Sequence, residues 1–337
     1  MEAFKTYLLL NFIFFYFIEL RLSKSLYYTL SKSKIDINKI NQERVKIFLK
    51  KRYINSNKIN VVLDDTGEMK YAKGDIFFKQ YIGNVGKIDN GCNMVSLSFV
   101  NDELIEPYDS RFYISSDKFS YGKSDKYFKS KLDLSRELVQ EVSELLKSLG
   151  KELDTVLGDC YYGSCDNLNK WNKESYKYFL GIKSNRNLKD IVKYIDMDFD
   201  KLGSLVTAMK AFQNPYVKDN FQVYSFDVSL KGINHNVKVF AINTKDKERL
   251  YITNNLDLTK KQALQLHLQR AHIDVKEYKE FKTELHLLDC RFGSQEGYIR
   301  HIKFVYICFD ILRNLAYKFN KTLFFGLKSF IHQISIT

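Results

Sequence analysis

Two short apolar runs in this sequence each end in a carboxylate. "NVVLDD" places Asp64 and Asp65 after Val61, Val62 and Leu63, and "DTVLGD" places Asp159 after Val156, Leu157 and Gly158. Short apolar runs of this kind, bounded by turn-forming residues, read as buried strands. Acids at the carboxyl ends of neighbouring strands meet at one rim of a sheet, where the ligands of open α/β folds collect. Two such carboxylates repel each other unless a cation lies between them, and a shared divalent metal meets that need most simply. All-oxygen donors favour Mg²⁺ or Mn²⁺ over Zn²⁺. A pair of such ions suits phosphoryl transfer, one at the attacking oxygen and one at the leaving oxygen. Aspartates after strands are also common turn residues, so either acid alone carries little. Asp64 follows its apolar run directly and is the stronger candidate, with Asp65 expected as a turn or capping acid.

A third acid is expected from a helix near the C-terminal end. In "RAHIDVKEYKEF", residues 270–281, a helical period puts Asp274, Glu277 and Arg270 on or beside the face marked by Ile273, Tyr278 and Phe281, while Glu280 points away. Acids beside an apolar stripe are an odd choice for a merely solvated helix. Ion pairing within the helix is the ordinary alternative, and helical geometry does not choose between Asp274 and Glu277.

The elements that must hold these residues follow from pattern. Residues 1–57 read as a helical, basic segment, with "NQERVKIFLKKRYI" carrying apolar residues at helical spacing among Lys and Arg, as a DNA-binding helix or a solvated basic face would. "YLLLNFIFFYFI" (Tyr7 to Ile18) is apolar for 12 residues, short of the roughly 20 a bilayer span needs. With no small-residue cleavage site after it, it reads as a buried helix rather than a membrane anchor or signal peptide. Residues 58–185 alternate as strands around the amphipathic helix "SRELVQEVSELLKSLG" (135–150), residues 186–250 form a β-rich insertion, residues 251–315 return to helix, and 316–337 form a tail. Strand, acid, strands, helix, strand, acid, insertion and helix in that order describe an α/β domain with a mixed sheet flanked by helices.

Composition bounds the function. At 337 residues and 45% hydrophobic the chain can bury a real core, which excludes a disordered protein. A net charge of +13 favours a polyanionic partner, nucleic acid before an anionic membrane. Five scattered cysteines without a CxxC pair fit neither a zinc site nor a disulfide framework. Reduced thiols in the cytoplasm are expected.

Several segments taken in order resemble the DDE transposases of bacterial insertion sequences, in the group that carries a β-strand insertion in the catalytic domain. They are "VVLDDTGEMKYAKG", "QYIGNVGKIDNGCNMVSLS", "RFYIS", "VLGDCYYGSCDNL", and "RAHIDVKEYKEFKTELHLLDCRF" with "EGYIRHIKF". The resemblance runs from about Asn60 to Leu312 and implies an RNase H-like fold. It also implies a catalytic Asp-Asp-Glu triad, two divalent metals (Mg²⁺ or Mn²⁺), and cut-and-paste DNA transfer by a homodimer acting on terminal repeats and target DNA near the nucleoid. Asp64 would be the first acid and Asp159 the second. The family glutamate falls at Asp274 by register, whereas Glu277 has the family's side-chain length, so both are carried as the third. Three departures stand out: Ala271 replaces a tryptophan, an aspartate occupies the glutamate position, and Lys282 lies one residue further on than the family spacing. These leave a catalytically inactive or domesticated DNA-binding remnant as the alternative. Lys282, Arg270, Arg291, Arg300 and His301 are candidates for gripping phosphates, with Lys183 and Arg186 as DNA-facing residues at the start of the insertion. Structural ion pairs are the ordinary alternative for each. Tyr161 and Tyr162, after Asp159, could stack on an extruded base or pack on the sheet edge.

Overall fold

The computed structural model describes residues 34–50, 57–83, 85–101, 105–194, 197–272 and 294–318. The apolar segment Tyr7 to Ile18, the expected third acids Asp274 and Glu277, and Lys282, Arg291 and the tail from 319 all lie outside the described residues. Among the described residues no helix is long and apolar enough to cross a membrane.

Strand β1 (Lys58–Met69) is the centre of the fold. It pairs antiparallel with β3 (Lys87–Val100) on one side and parallel with β5 (Glu152–Gly158) on the other. Beyond β3, its outer edge is shared by the short β2 (Phe78–Ile82) and by β4 (Ile105–Phe112), both antiparallel to it. Beyond β5, β6 (Lys177–Gly181) runs parallel. The order β4-β3-β1-β5-β6, a three-strand antiparallel meander followed by two parallel strands on its far side, is the RNase H-like arrangement.

The β-rich segment does not form a separate layer. β7 (Asn187–Tyr194) and β8 (Met197–Lys201) make a two-stranded ribbon. β9 (Tyr216–Lys218), β10 (Phe221–Val228), β11 (Val237–Asn243) and β12 (Glu248–Thr253) then continue the main sheet, β12 pairing antiparallel with β6. The result is a sheet of ten strands among the described residues.

Alternation along each strand assigns the two faces. Val61 and Leu63 of β1, Val156 of β5 and Leu180 of β6 join one core, against α2 (Lys131–Ser148), α3 (Cys165–Lys173) and, in the insertion, α4 (Leu202–Lys210). Val62, Leu157, Phe179 and Phe240 point the other way, onto α5 (Lys260–His272). Met94 and Cys92 of β3 carry that second face on to α6 (Gln295–Lys318).

The structure differs from the sequence expectation in three places. α2 begins at Lys131, earlier than Ser135, because Ser130 and Asp133 form a capping box that satisfies two free backbone donors. α4 interrupts the insertion because Leu202, Leu205 and Val206 recur at helical spacing and are buried. β1 does not stop at its aspartates but continues to Met69, paired with β3 throughout.

The N-terminal helix α1 (Ile37–Lys50) is fastened to the core by charge as well as by Val45, Phe48 and Leu49. Arg44 pairs with Glu106 and with Asp310 at 3.0 Å, and donates to the carbonyl of Tyr108. Arg313 of α6 also pairs with Glu106, which is fully buried. Removing one partner from such a network leaves a desolvated charge uncompensated, which costs more than the intact pair contributes. Arg44→Met is therefore expected to lower stability by about 3 kcal/mol, read as a fall in the urea midpoint at unchanged m-value. An unchanged midpoint would show that Arg313 alone neutralises Glu106.

Candidate active site

The parallel register of β1 and β5 pairs Val61 with Val156 and Val62 with Leu157. Two residues further along each strand stand Asp64 and Asp159, on the same face as Val62 and Leu157 by alternation. Neighbouring strands lie about 4.8 Å apart, so the two acids leave the sheet as close neighbours at its carboxyl rim. Both are partly buried.

Asp159 opens a tight turn directly after β5. Its Oδ1 accepts the backbone N–H of Tyr161 at 2.9 Å. Burial pushes its carboxyl above the ordinary aspartate range, and the negative charge of Asp65 pushes the same way. The Tyr161 and Tyr162 backbone N–H groups and the charge of Arg270 oppose the shift without cancelling it. This half-buried carboxylate lacks sufficient positive charge. Asp64 accepts the N–H of Asp65 at 2.9 Å on its Oδ1, and its carbonyl takes the Ser96 hydroxyl at 3.4 Å.

Asp65 corrects the sequence expectation. It is a strand residue facing the α2 side, not a turn or capping acid, and it forms an ion pair with Lys131 at 2.6 Å. Lys131, the first residue of α2, also stands over the ring of Tyr161 at 5.7 Å. Sequence reasoning did not select Lys131. The only signal for it was a lysine opening a helix beside a serine cap, which is commonplace.

The turn after Asp159 depends on three small residues. A Cβ on Gly181 of β6 would stand 2.8 Å from the backbone nitrogen of Cys160, and one on Gly163 would stand 2.8 Å from the carbonyl oxygen of Gly181. The peptide carrying Asp159 thus lies directly on the end of β6, an approach that a methyl group forbids. Gly158, in the strand itself, faces Leu180 and Tyr162 almost as closely.

The other expected residues are dispersed. Arg270, near the end of α5, is partly buried and close enough to Asp159 for its charge to act there. Arg186 donates to the Gly163 carbonyl at 2.5 Å and to the Cys165 sulfur at 3.3 Å, tying the insertion to the turn behind Asp159. Lys183 is exposed. Arg300 pairs with Glu296 one turn away at 2.6 Å, and His301 is buried at 4% exposure. Of the two tyrosines, Tyr162 is fully buried in the core and Tyr161 is exposed at 46%, with the rings edge to face. Cys92, Cys160, Cys165 and Cys308 are free thiols. Among the described residues no group of three metal-ligating side chains forms. The candidate third acids follow Arg270 in sequence, outside those residues.

The family description "DDE superfamily endonuclease" matches residues 20–191, about half the chain and including both Asp64 and Asp159. The chain belongs to the DDE endonuclease superfamily. It is similar to the probable transposase for insertion sequence element IS701 of Microchaete diplosiphon, at 30% identity over 170 residues, covering 50% of this chain and 40% of that protein. The chain therefore aligns with less than half the length of that relative. Among solved structures, the NurA nuclease from Sulfolobus solfataricus superposes with a TM-score of 0.32 at 13% identity, over 80% of this chain and 99% of that one. A superposition this loose adds nothing to the family assignment.

Two tests follow from the site. Because the folded-state pKa of Asp159 is raised, protonation favours the fold: the ionised group costs stability at neutral pH, and the cost disappears as pH falls below the ordinary value near ~3.9. In chelator, Asp159→Asn is expected to melt above the wild type at neutral pH, with the gap closing as the pH approaches ~4. A gap independent of pH would refute this account. Gly181→Ala is expected to cost about 1–3 kcal/mol by forcing the Cys160 peptide away. A melting temperature equal to wild type would mean that the turn yields freely.

Proposed function

We propose that this protein is a DNA transposase, cleaving phosphodiester bonds at the ends of an insertion sequence and joining the freed ends to a target. The observation that carries this reading is that Asp64 and Asp159 each lie two residues past the last paired residues of the parallel strands β1 and β5, Val62 and Leu157, with the charge of Arg270 acting on Asp159.

The residues fit a divalent cation. The donors are carboxylate oxygens, the class that Mg²⁺ and Mn²⁺ prefer, and Asp159 is held above its ordinary pKa by burial and a neighbouring negative charge, a condition that a cation relieves. Asp64 and Asp159 would hold the ions, with Asp274 or Glu277 as the third acid. Bound there, two such ions would supply Lewis-acid stabilisation of the attacking and leaving oxygens. The protein's own groups do the rest. The Tyr161 N–H holds Oδ1 of Asp159, and the Tyr162 N–H also donates to this carboxylate. Arg270, whose charge acts on Asp159, would meet a phosphate there. Lys131 pairs with Asp65 at 2.6 Å and so offsets part of that carboxylate's charge beside the DNA backbone. The +13 chain draws duplex DNA to this surface, and a homodimer holding two element ends in the bacterial cytoplasm completes the proposal.

The test is cleavage of a duplex carrying the element's terminal repeat in Mg²⁺ or Mn²⁺. Asp64→Ala and Asp159→Ala are each expected to reduce cleavage below detection while leaving salt-sensitive DNA binding. Asp274→Asn and Glu277→Gln, compared singly, assign the third acid to whichever abolishes cleavage. Cleavage that survives loss of Asp64 would overturn the proposal. DNA binding without cleavage in either metal would leave the inactive remnant as the better description.

A further inference from the structure

The segment joining β4 to α2, residues 113–131, reads "YISSDKFSYGKSDKYFKSK", with five lysines against two aspartates. It is folded rather than loose. Successive backbone hydrogen bonds from Lys118 to Phe128 close a run of tight turns, with Gly122 in the left-handed region at a φ of 55°. Its inner aromatics form a hinge-free anchor: Phe128 meets Tyr113 at 6.3 Å and Phe119 at 5.8 Å edge to face, and Tyr113 meets Phe78 of β2 at 5.9 Å. Its outer aromatics do the opposite. Tyr121 is 79% exposed and Tyr127 69% exposed, beside the exposed Lys123 and Lys126, and the Lys126 ammonium lies 4.7 Å from the centre of the Tyr127 ring.

This surface adjoins the candidate site through covalent and ionic links. The segment ends at Lys131, which grips Asp65 and stands over Tyr161. Tyr113 and Asp159 are both near enough to Tyr161 to act on its hydroxyl. Large rings held out in water by a rigid backbone, with ammonium groups spaced between them, match what unpaired nucleotides require. Each base offers a π-face to stack and each phosphate a charge to pair. Duplex DNA hides its base faces and would use the lysines alone.

We propose that residues 113–131 form a stacking platform for unpaired nucleotides at the rim of the candidate site, with Tyr121 and Tyr127 as the base-stacking residues and Lys123 and Lys126 as phosphate contacts. It deepens the proposed DNA chemistry by assigning where the strand separated at a cleaved end is held.

The experiment uses the full chain and a labelled 12-nucleotide oligothymidylate in chelator, followed by fluorescence anisotropy across a range of salt. The wild type is expected to bind. Replacing both tyrosines, Tyr121→Ala with Tyr127→Ala, should weaken binding by about tenfold or more and leave the salt slope unchanged. Tyr121→Phe with Tyr127→Phe should retain wild-type affinity, because the ring and not the hydroxyl stacks. Lys123→Ala with Lys126→Ala should make the slope of log affinity against log salt shallower by about 1.4. No binding by the wild type, or equal binding by the alanine pair, would overturn the platform. The same preparations are assayed for duplex cleavage in Mg²⁺ to separate the two readings. Cleavage with tyrosine-independent oligonucleotide binding removes the platform and keeps the transposase. Tyrosine-dependent binding without cleavage does the reverse.

Discussion

Where Asp64 and Asp159 stand is set by the parallel pairing of β1 with β5, and most of the surrounding architecture depends on that register. The parallel pairing of β1 with β5 cannot be relaxed, because Val61, Val62, Val156 and Leu157 are buried on both faces of the sheet. A slip of one residue in β1 would exchange its faces and expose both cores. The hydrophobic register therefore forces Asp64 towards Asp159, and the turn packed on Gly181 prevents Asp159 from backing away. Burial and the charge of Asp65 hold the Asp159 carboxyl above its ordinary range, and the Tyr161 and Tyr162 N–H groups and Arg270 oppose that shift without cancelling it.

A second group of buried charges behaves differently. Arg44, Glu106, Asp310 and Arg313 join α1, β4 and α6 at the far side of β3, and Lys303 pairs with Asp109 at 3.0 Å on the same strand. Here each buried acid has a basic partner at contact distance, so the network holds elements in place. At the β1–β5 boundary, Asp65 pairs with Lys131, and Asp159 is held above its ordinary range by burial although Arg270 acts on it. Different balances of charge separate a structural network from a site able to accept a ligand, although both consist of the same residue types.

Much of this could be read from the sequence, in the places where one element's own pattern decides the outcome. Alternation marked "FQVYSFDVSL" and "NVKVFAINT" as strands, and the apolar runs before Asp64 and Asp159 located both acids at strand positions. What escaped was set by partners distant in the chain. Asp65 resembles a turn acid until β3 is seen to carry β1 past it, and Lys131 is an ordinary helix-opening residue until it is found against Asp65. Arg186 reads as a DNA contact, yet its guanidinium is spent on Gly163 and Cys165. Glu106 is fully buried where α1 and α6 bring Arg44 and Arg313 to it. Local patterning fixes which face a side chain takes; it does not fix what waits on that face.

The strands β1 and β5 end their pairing unequally. β1 runs on to Met69, paired with β3, but its parallel ladder with β5 ends at Val62 and Leu157. Past that point the chain of β5 turns off through Asp159 to Tyr161 and Tyr162, the first exposed and the second sunk into the core. Open α/β sheets bind ligands where one strand continues and its neighbour departs. Asp64 lies on the continuing strand and Asp159 just past the end of the departing one. Tyr162 is buried and Arg186 ties the same turn to the insertion, so the turn that carries Asp159 is packed from within and tied from outside.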